Sequence, residues 1–184
     1  MFQLLWRFPR DLHQDKSLGK FLIAIVPPPS IPFRLLEMNR PALQIILIDD
    51  AQHDLDAQQR TLESCKLLNE VKSFKSAEDA VAFFRSSKGT NSRFLVFLDL
   101  VMKPNNGTYV LRALQDENLA PKSVVVMLSG LADVRLLHEG YQLGAHTFLV
   151  KPLKVQDVME LVTTLKNSIS IETEDKGNRL VWKA

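Results

Sequence analysis

The 184-residue chain has only one cysteine, Cys65. A lone thiol makes no internal disulfide, so nothing requires an oxidising compartment. With no CxxC and no Cys/His cluster, the sequence offers no structural zinc site. Charge of one sign is not in excess either. The 23 Lys and Arg nearly balance 21 Asp and Glu, which argues against binding nucleic acid or a membrane surface by bulk charge. The absence of GxxxxGKS or GxxxxGKT excludes a Walker-type NTPase. Long apolar runs are missing as well. Phe21–Val26 is six residues long, against roughly 20 for a membrane span and about 7 plus a cleavage site for a secretory h-region. What remains, 46% hydrophobic and 24% charged, has the composition of a soluble globular protein, here expected in the cytoplasm.

Proline is concentrated at one end. Residues 1–40 hold five of the nine prolines, four of the ten phenylalanines and a net charge of +3. Pro27-Pro28-Pro29-Ser30-Ile31-Pro32 cannot be helical, because proline lacks the N–H and clashes with the preceding turn. The expectation is a poorly ordered extension over 1–40, with Met38 as a second candidate start, followed by a globular domain over 41–170 and a polar tail over 171–184.

From Gln44 the chain alternates strands and helices. Apolar runs at Gln44–Ile48 and Phe94–Leu98 read as buried strands, Val124–Leu128 and Thr147–Val150 as further strands, and Glu70–Phe74 as a weaker one. Between them lie helical stretches over about 54–68, from a capping-box-like Ser76, through Gly107, Val110, Leu111 and Leu114, and over about 133–143 with Gly144 as C-cap. Val155, Val158, Val162, Leu165 and Ile169 step by three and four and predict a last amphipathic helix. Five strands alternating with five helices imply a doubly wound α/β fold: a five-stranded parallel sheet with helices on both faces. In such folds ligands sit beyond the carboxyl ends of the strands. Those ends carry Asp49 and Asp50, Asp99, Ser129 and Lys151.

Carboxylates gathered at one edge repel one another, and burying them unpaired is costly. A hard divalent cation answers both difficulties, and Mg²⁺ suits an all-oxygen site. Asp49 and Asp50 are the expected metal ligands, and Asp99 both ligand and nucleophile, since a carboxylate can attack phosphorus to give an aspartyl-phosphate. Lys151 would neutralise one phosphoryl oxygen and the Ser129 hydroxyl would donate to another. Chemistry of this kind needs positioning and charge neutralisation more than a strong base.

The pattern closely resembles the receiver domain of two-component response regulators, over about Gln44 to Ile169. The resemblance rests on Asp49-Asp50, Asp99-Leu100 with Gly107 eight residues on, Ser129-Gly130, Gly144-Ala145, and Phe148 through Lys151-Pro152, at intervals of 30 from Asp99 to Ser129 and 22 from Ser129 to Lys151. It implies the flavodoxin-like strand order 2-1-3-4-5, for which a receiver is a standard example. It also implies Asp99 as phosphoacceptor, the Val101 carbonyl as a further Mg²⁺ ligand, Phe148 as an aromatic switch coupled to Ser129, and a cis Lys151-Pro152 bond. The implied function is a phosphorylation-dependent signalling switch, an enzyme only toward its own phosphorylation and dephosphorylation. Its partners would be a histidine kinase or histidine phosphotransfer protein and a downstream target protein. With only Ser170–Ala184 beyond the domain, neither a DNA-binding nor an enzymatic output module is expected, and the state would be a monomer or weak dimer. A phosphorelay intermediate and a non-phosphorylated scaffold are the other readings. Haloacid-dehalogenase-like phosphatases are disfavoured, because Asp49-Asp50-Ala51 is not Asp-x-Asp. Of the four histidines, His53 is the one near the acidic pair, and a solvated loop is its expected place.

Two departures stand out. Lys103 occupies the place, four residues after Asp99, where the family has proline, and Pro104 follows. Val101 and Leu131, two residues past Asp99 and Ser129, are apolar where the family can place a group that orients the hydrolytic water. Autodephosphorylation is therefore expected to be slow. Following phosphoryl loss from the purified protein tests this, and decay much faster than in receivers with polar groups there would contradict it.

Overall fold

The structure, a computed structural model, describes residues 43–130 and 134–183. The Pro-rich stretch 1–40 and Leu131 lie outside them. Twelve elements follow in order: β1 (Leu43–Ile48), α1 (Gln52–Ser64), β2 (Val71–Phe74), α2 (Ala77–Ser86), β3 (Arg93–Asp99), α3 (Gly107–Asp116), β4 (Ser123–Ser129), α4 (Val134–Gln142), β5 (Thr147–Val150), α5 (Val155–Thr164), β6 (Ile169–Glu174) and β7 (Gly177–Trp182). The first five strands form one parallel sheet in the order β2-β1-β3-β4-β5. This is the doubly wound, flavodoxin-like order expected from the sequence.

The central strands are apolar on both faces because both faces are covered, and their side chains divide by the two-residue period. Ile46, Ile48, Phe94, Val96, Leu98, Val125 and Met127 pack under α2 and α3. Leu43, Ile45, Leu47, Leu95, Phe97, Val124, Val126 and Leu128 pack under α1 and α5. Local signals hold where they were read. The Ser76 side chain caps α2 by accepting from the Asp79 N–H at 3.1 Å, and Gly144 after α4 has φ +91°, the left-handed conformation a helix terminus uses. Lys151-Pro152 is cis, and so is Lys103-Pro104.

The C-terminal segment departs from expectation. α5 stops at Thr164, and Ile169 opens a strand instead of extending the helix. Of the stretch 171–184, read as a polar tail, residues 171–182 contribute to an antiparallel ribbon of β6 and β7. Its polar composition conceals an alternating face: Ile169 and Leu180 are buried in the same cluster as Leu43 and Leu165, with Ile171 and Trp182 partly buried beside them. Burial of one face, not average polarity, decides that a strand forms. α1 is likewise shorter than expected, ending at Ser64. Lys66 then adopts φ +52°, and the chain turns into Asn69.

Asn69 ties the ribbon to the sheet. It is 6% exposed, its Nδ2 donates to the Leu43 and Leu180 carbonyls at 2.8 Å each, and its Oδ1 accepts from the Leu180 N–H at 2.7 Å. Asn178 adds a second clasp, donating from Nδ2 to the Cys65 carbonyl at 3.1 Å. The Arg93 guanidinium lies 6.0 Å from the Trp182 ring centroid. All this happens at the amino-terminal end of β1 and β3, opposite the strand ends that carry the acidic residues. Asn69→Ala would leave three buried backbone groups unpaired, and we expect a loss of about 2–3 kcal/mol in urea unfolding. An unchanged midpoint would show that the ribbon adds nothing to the fold.

Candidate functional site

The parallel sheet delivers the residues singled out above to one edge. Asp49 follows β1, Asp99 ends β3, Ser129 ends β4 and Lys151 follows β5. The Lys151 ammonium is the centre of the arrangement. Its Nζ lies 2.6 Å from Asp49 Oδ2, 2.7 Å from Asp99 Oδ2 and 2.9 Å from Asp54 Oδ2. One donor thus meets each carboxylate. Its backbone N–H donates to the Ser129 carbonyl at 3.0 Å, so the same residue also binds the ends of β4 and β5 together.

Asp49 is fully buried and Asp99 is 4% exposed. Asp49 Oδ1 accepts from the Ala51 N–H at 3.1 Å, and Asp99 Oδ1 from the Val101 N–H at 3.0 Å. Asp50 is exposed, and its Oδ2 accepts from the Lys103 N–H at 3.1 Å. The residue standing where the family has proline therefore retains a donor and uses it on the acidic pair. The Val101 side chain is exposed. Gly107, at the start of α3, approaches so closely that a Cβ there would collide with the Asp99 carbonyl oxygen, which is why glycine follows at that interval.

Burial raises the Asp99 carboxyl above the usual carboxylate range, and the neighbouring Asp49 charge adds to the rise. The hydrogen bonds from Lys151 and Val101 offset this only in part. Burial opposes the charge of Lys151, yet its hydrogen bonds to Asp49, Asp99 and Asp54 prevail and hold its affinity for the proton well above the ordinary lysine value. The two directions are consistent: the ammonium gains from three carboxylates, whereas Asp99 shares one ammonium with two others.

Asp49, Asp50 and Asp99 can each present an oxygen within 4.8 Å of the others. Three carboxylates from two strand ends are a hard, all-oxygen donor set, and that chemistry fits Mg²⁺. Two residues of the pocket escaped the sequence reading. Asp54 and Gln58 lie on α1, five and nine residues past Asp49, and the Gln58 Nε2 donates to Asp49 Oδ2 at 2.9 Å. The only signal for Gln58 was a polar residue in the apolar stripe of an otherwise regular helix. His53 stands on α1 rather than in a loop. Its side chain is 84% exposed, and its Nε2 lies 3.2 Å from Asp54 Oδ1. Phe148 is 36% exposed on β5, alongside the exposed Val150, Val155 and Met159.

The family model of the response regulator receiver domain matches residues 45–163. The chain belongs to this family. Receiver domains are generally signalling modules rather than enzymes, bind Mg²⁺ through an acidic pocket and interact with histidine kinases or phosphotransfer proteins. A solved receiver protein from Dyadobacter fermentans DSM 18053 superposes with a TM-score of 0.58 at 26% identity, covering 66% of this chain and 96% of that one. The transcriptional regulatory protein TdiR of Thauera aromatica is 27% identical over 137 residues, 74% of this chain and 56% of TdiR. Protein CcdB of Bacillus subtilis (strain 168) is 35% identical over 69 residues, 38% of this chain and 56% of CcdB. The chain thus spans about half the length of these curated relatives. Among the described residues no helix is long and apolar enough to cross a membrane.

The raised Asp99 carboxyl has a measurable consequence. A group that holds its proton more tightly when folded contributes stability below its unfolded value, about pH 4, and loses it as pH rises through the folded value. Asp99→Asn removes that charge at nearly constant volume. In chelator-treated protein the variant should therefore have the higher urea midpoint at about pH 7, with the gap closing near pH 4. A parent more stable than the variant at neutral pH would show that Lys151 overcompensates the burial.

Proposed function

We propose that this chain is a Mg²⁺-dependent phosphorylation switch in which Asp99 accepts a phosphoryl group from a phosphohistidine of a histidine kinase or phosphotransfer protein. The reading is carried by the Lys151 ammonium 2.7 Å from Asp99 Oδ2, with Ser129 buried at the adjoining strand end. An Asp99 oxygen attacks phosphorus, the O–P bond forms as the donor N–P bond breaks, and the electron pair leaves with the donor imidazole. Lys151 pairs with a phosphoryl oxygen that would otherwise repel the Asp49 carboxylate, and the Ser129 hydroxyl donates to another. Asp49, Asp50, Asp99 and the Val101 carbonyl would hold Mg²⁺, which supplies charge neutralisation for the transferring group.

Phosphorylation replaces the single negative charge of the Asp99 carboxylate with the nearly two of a phosphoryl group at this edge and shifts a pre-existing equilibrium. Ser129 and Phe148 are the switch pair in this reading. Phe148 is partly exposed on β5, and Val150 on the same strand and Val155 and Met159 on α5 are exposed as well, apolar surface on which a cytoplasmic partner protein can dock.

The test is intact mass after incubation with acetyl phosphate and Mg²⁺, beside Asp99→Asn. We expect one phosphoryl group on the parent and none on the variant. Passage of that group onto a partner histidine would favour a phosphorelay intermediate over a docking switch. A folded parent that gains no mass and also fails to bind beryllofluoride would replace the switch with a receiver-like scaffold.

A further inference from the structure

Helix α1 turns an apolar stripe toward the sheet, and one member of that stripe is polar. Its buried residues are Leu55, Gln58 and Leu62, and Gln58 is 3% exposed. Burying an amide between leucines is unfavourable unless its polar atoms are paired. Nε2 is paired, with Asp49 Oδ2 at 2.9 Å. Oε1 is buried and finds no donor among the described residues. An apolar side chain of similar length would fit the stripe without leaving an acceptor unmet. What the amide contributes is therefore exerted on Asp49.

Asp49 receives three donors: the Ala51 N–H on Oδ1, and Lys151 and Gln58 together on Oδ2. They respond differently to an incoming divalent cation. An ammonium is repelled by a dication, and Lys151 has Asp54, which is not among the expected metal ligands, to hold it away from the ion. The Gln58 amide carries no net charge and is not driven off in this way. Accepting the acidic pocket as a Mg²⁺ site, on which this inference rests, we propose that Gln58 is a positioning residue. It keeps the Asp49 carboxylate oriented for the cation once Lys151 has moved toward Asp54. Outer donors to metal-ligating groups change metal affinity by about ten- to hundredfold.

The test combines calorimetric titration with MgCl₂ and urea unfolding in chelator, on the parent, Gln58→Leu and Gln58→Met. Both variants should bind Mg²⁺ roughly tenfold more weakly or worse. Their metal-free unfolding midpoints should stay close to the parent's, because the donor lost from Asp49 Oδ2, which keeps Lys151, is offset by removal of the unmet acceptor. A purely structural role would lower both quantities together. Leu62→Met repacks the same stripe without touching Asp49 and should retain the parent's affinity. Variants binding within about twofold of the parent would overturn the assignment, as would a joint fall in affinity and stability. A parent that binds no Mg²⁺, or binds it undiminished after Asp49→Asn, would instead overturn the reading of the pocket.

Discussion

One ammonium ion among three carboxylates holds this site together. Lys151 gives one donor each to Asp49, Asp54 and Asp99 at 2.6–2.9 Å, and its side chain is only 15% exposed. Removing charges from water is costly, and a cluster of this kind persists only where geometry and hydrogen bonding compensate. The compensation is mutual but unequal. Asp99, buried at the end of β3 and beside Asp49, is left holding its proton more tightly than an ordinary carboxylate. A pocket with such an excess of negative charge has a standing attraction for a divalent cation.

The architecture explains why these residues meet. Parallel strands carry their carboxyl ends to one edge, so a single polar residue at the end of each strand suffices to assemble a site. α1 covers one face of the sheet and brings Asp54 and Gln58 in from the side. α3 begins where only glycine allows its backbone to approach the Asp99 carbonyl. The opposite edge is closed by the β6–β7 ribbon, clasped through Asn69 to Leu43 and Leu180. Thus the family segment 45–163 is completed on its amino-terminal side by residues outside that segment.

The central strands β1, β3 and β4 could be read directly, because fully buried strands leave short apolar runs that end in polar residues, whereas β2 and β5, half-buried at the sheet edges, left weaker signals. Ser76 and Gly144 marked helix ends by chemistry local to a few residues. The ribbon was missed because its polar residues dominate any average over 171–184, while its buried face depends on Ile169, Leu180 and Trp182 meeting partners far away in sequence. The end of α5 was overrun for a related reason. Ile169 continues the spacing of the helix stripe, yet it is buried as the first residue of a strand.

At the site, the sequence alone determined which strand ends carry Asp49, Asp50, Asp99, Ser129 and Lys151, because the order of strands and their terminal residues is a property of the chain. It could not determine how the charges divide among themselves. That Lys151 serves three carboxylates, that Asp54 is one of them, that Gln58 donates to Asp49, and that the Lys103 N–H holds Asp50 were all decided by tertiary structure. A hydrogen bond forms between groups about 3 Å apart, and only the packing of α1 and the β3–α3 loop against the sheet edge brings these groups to that distance.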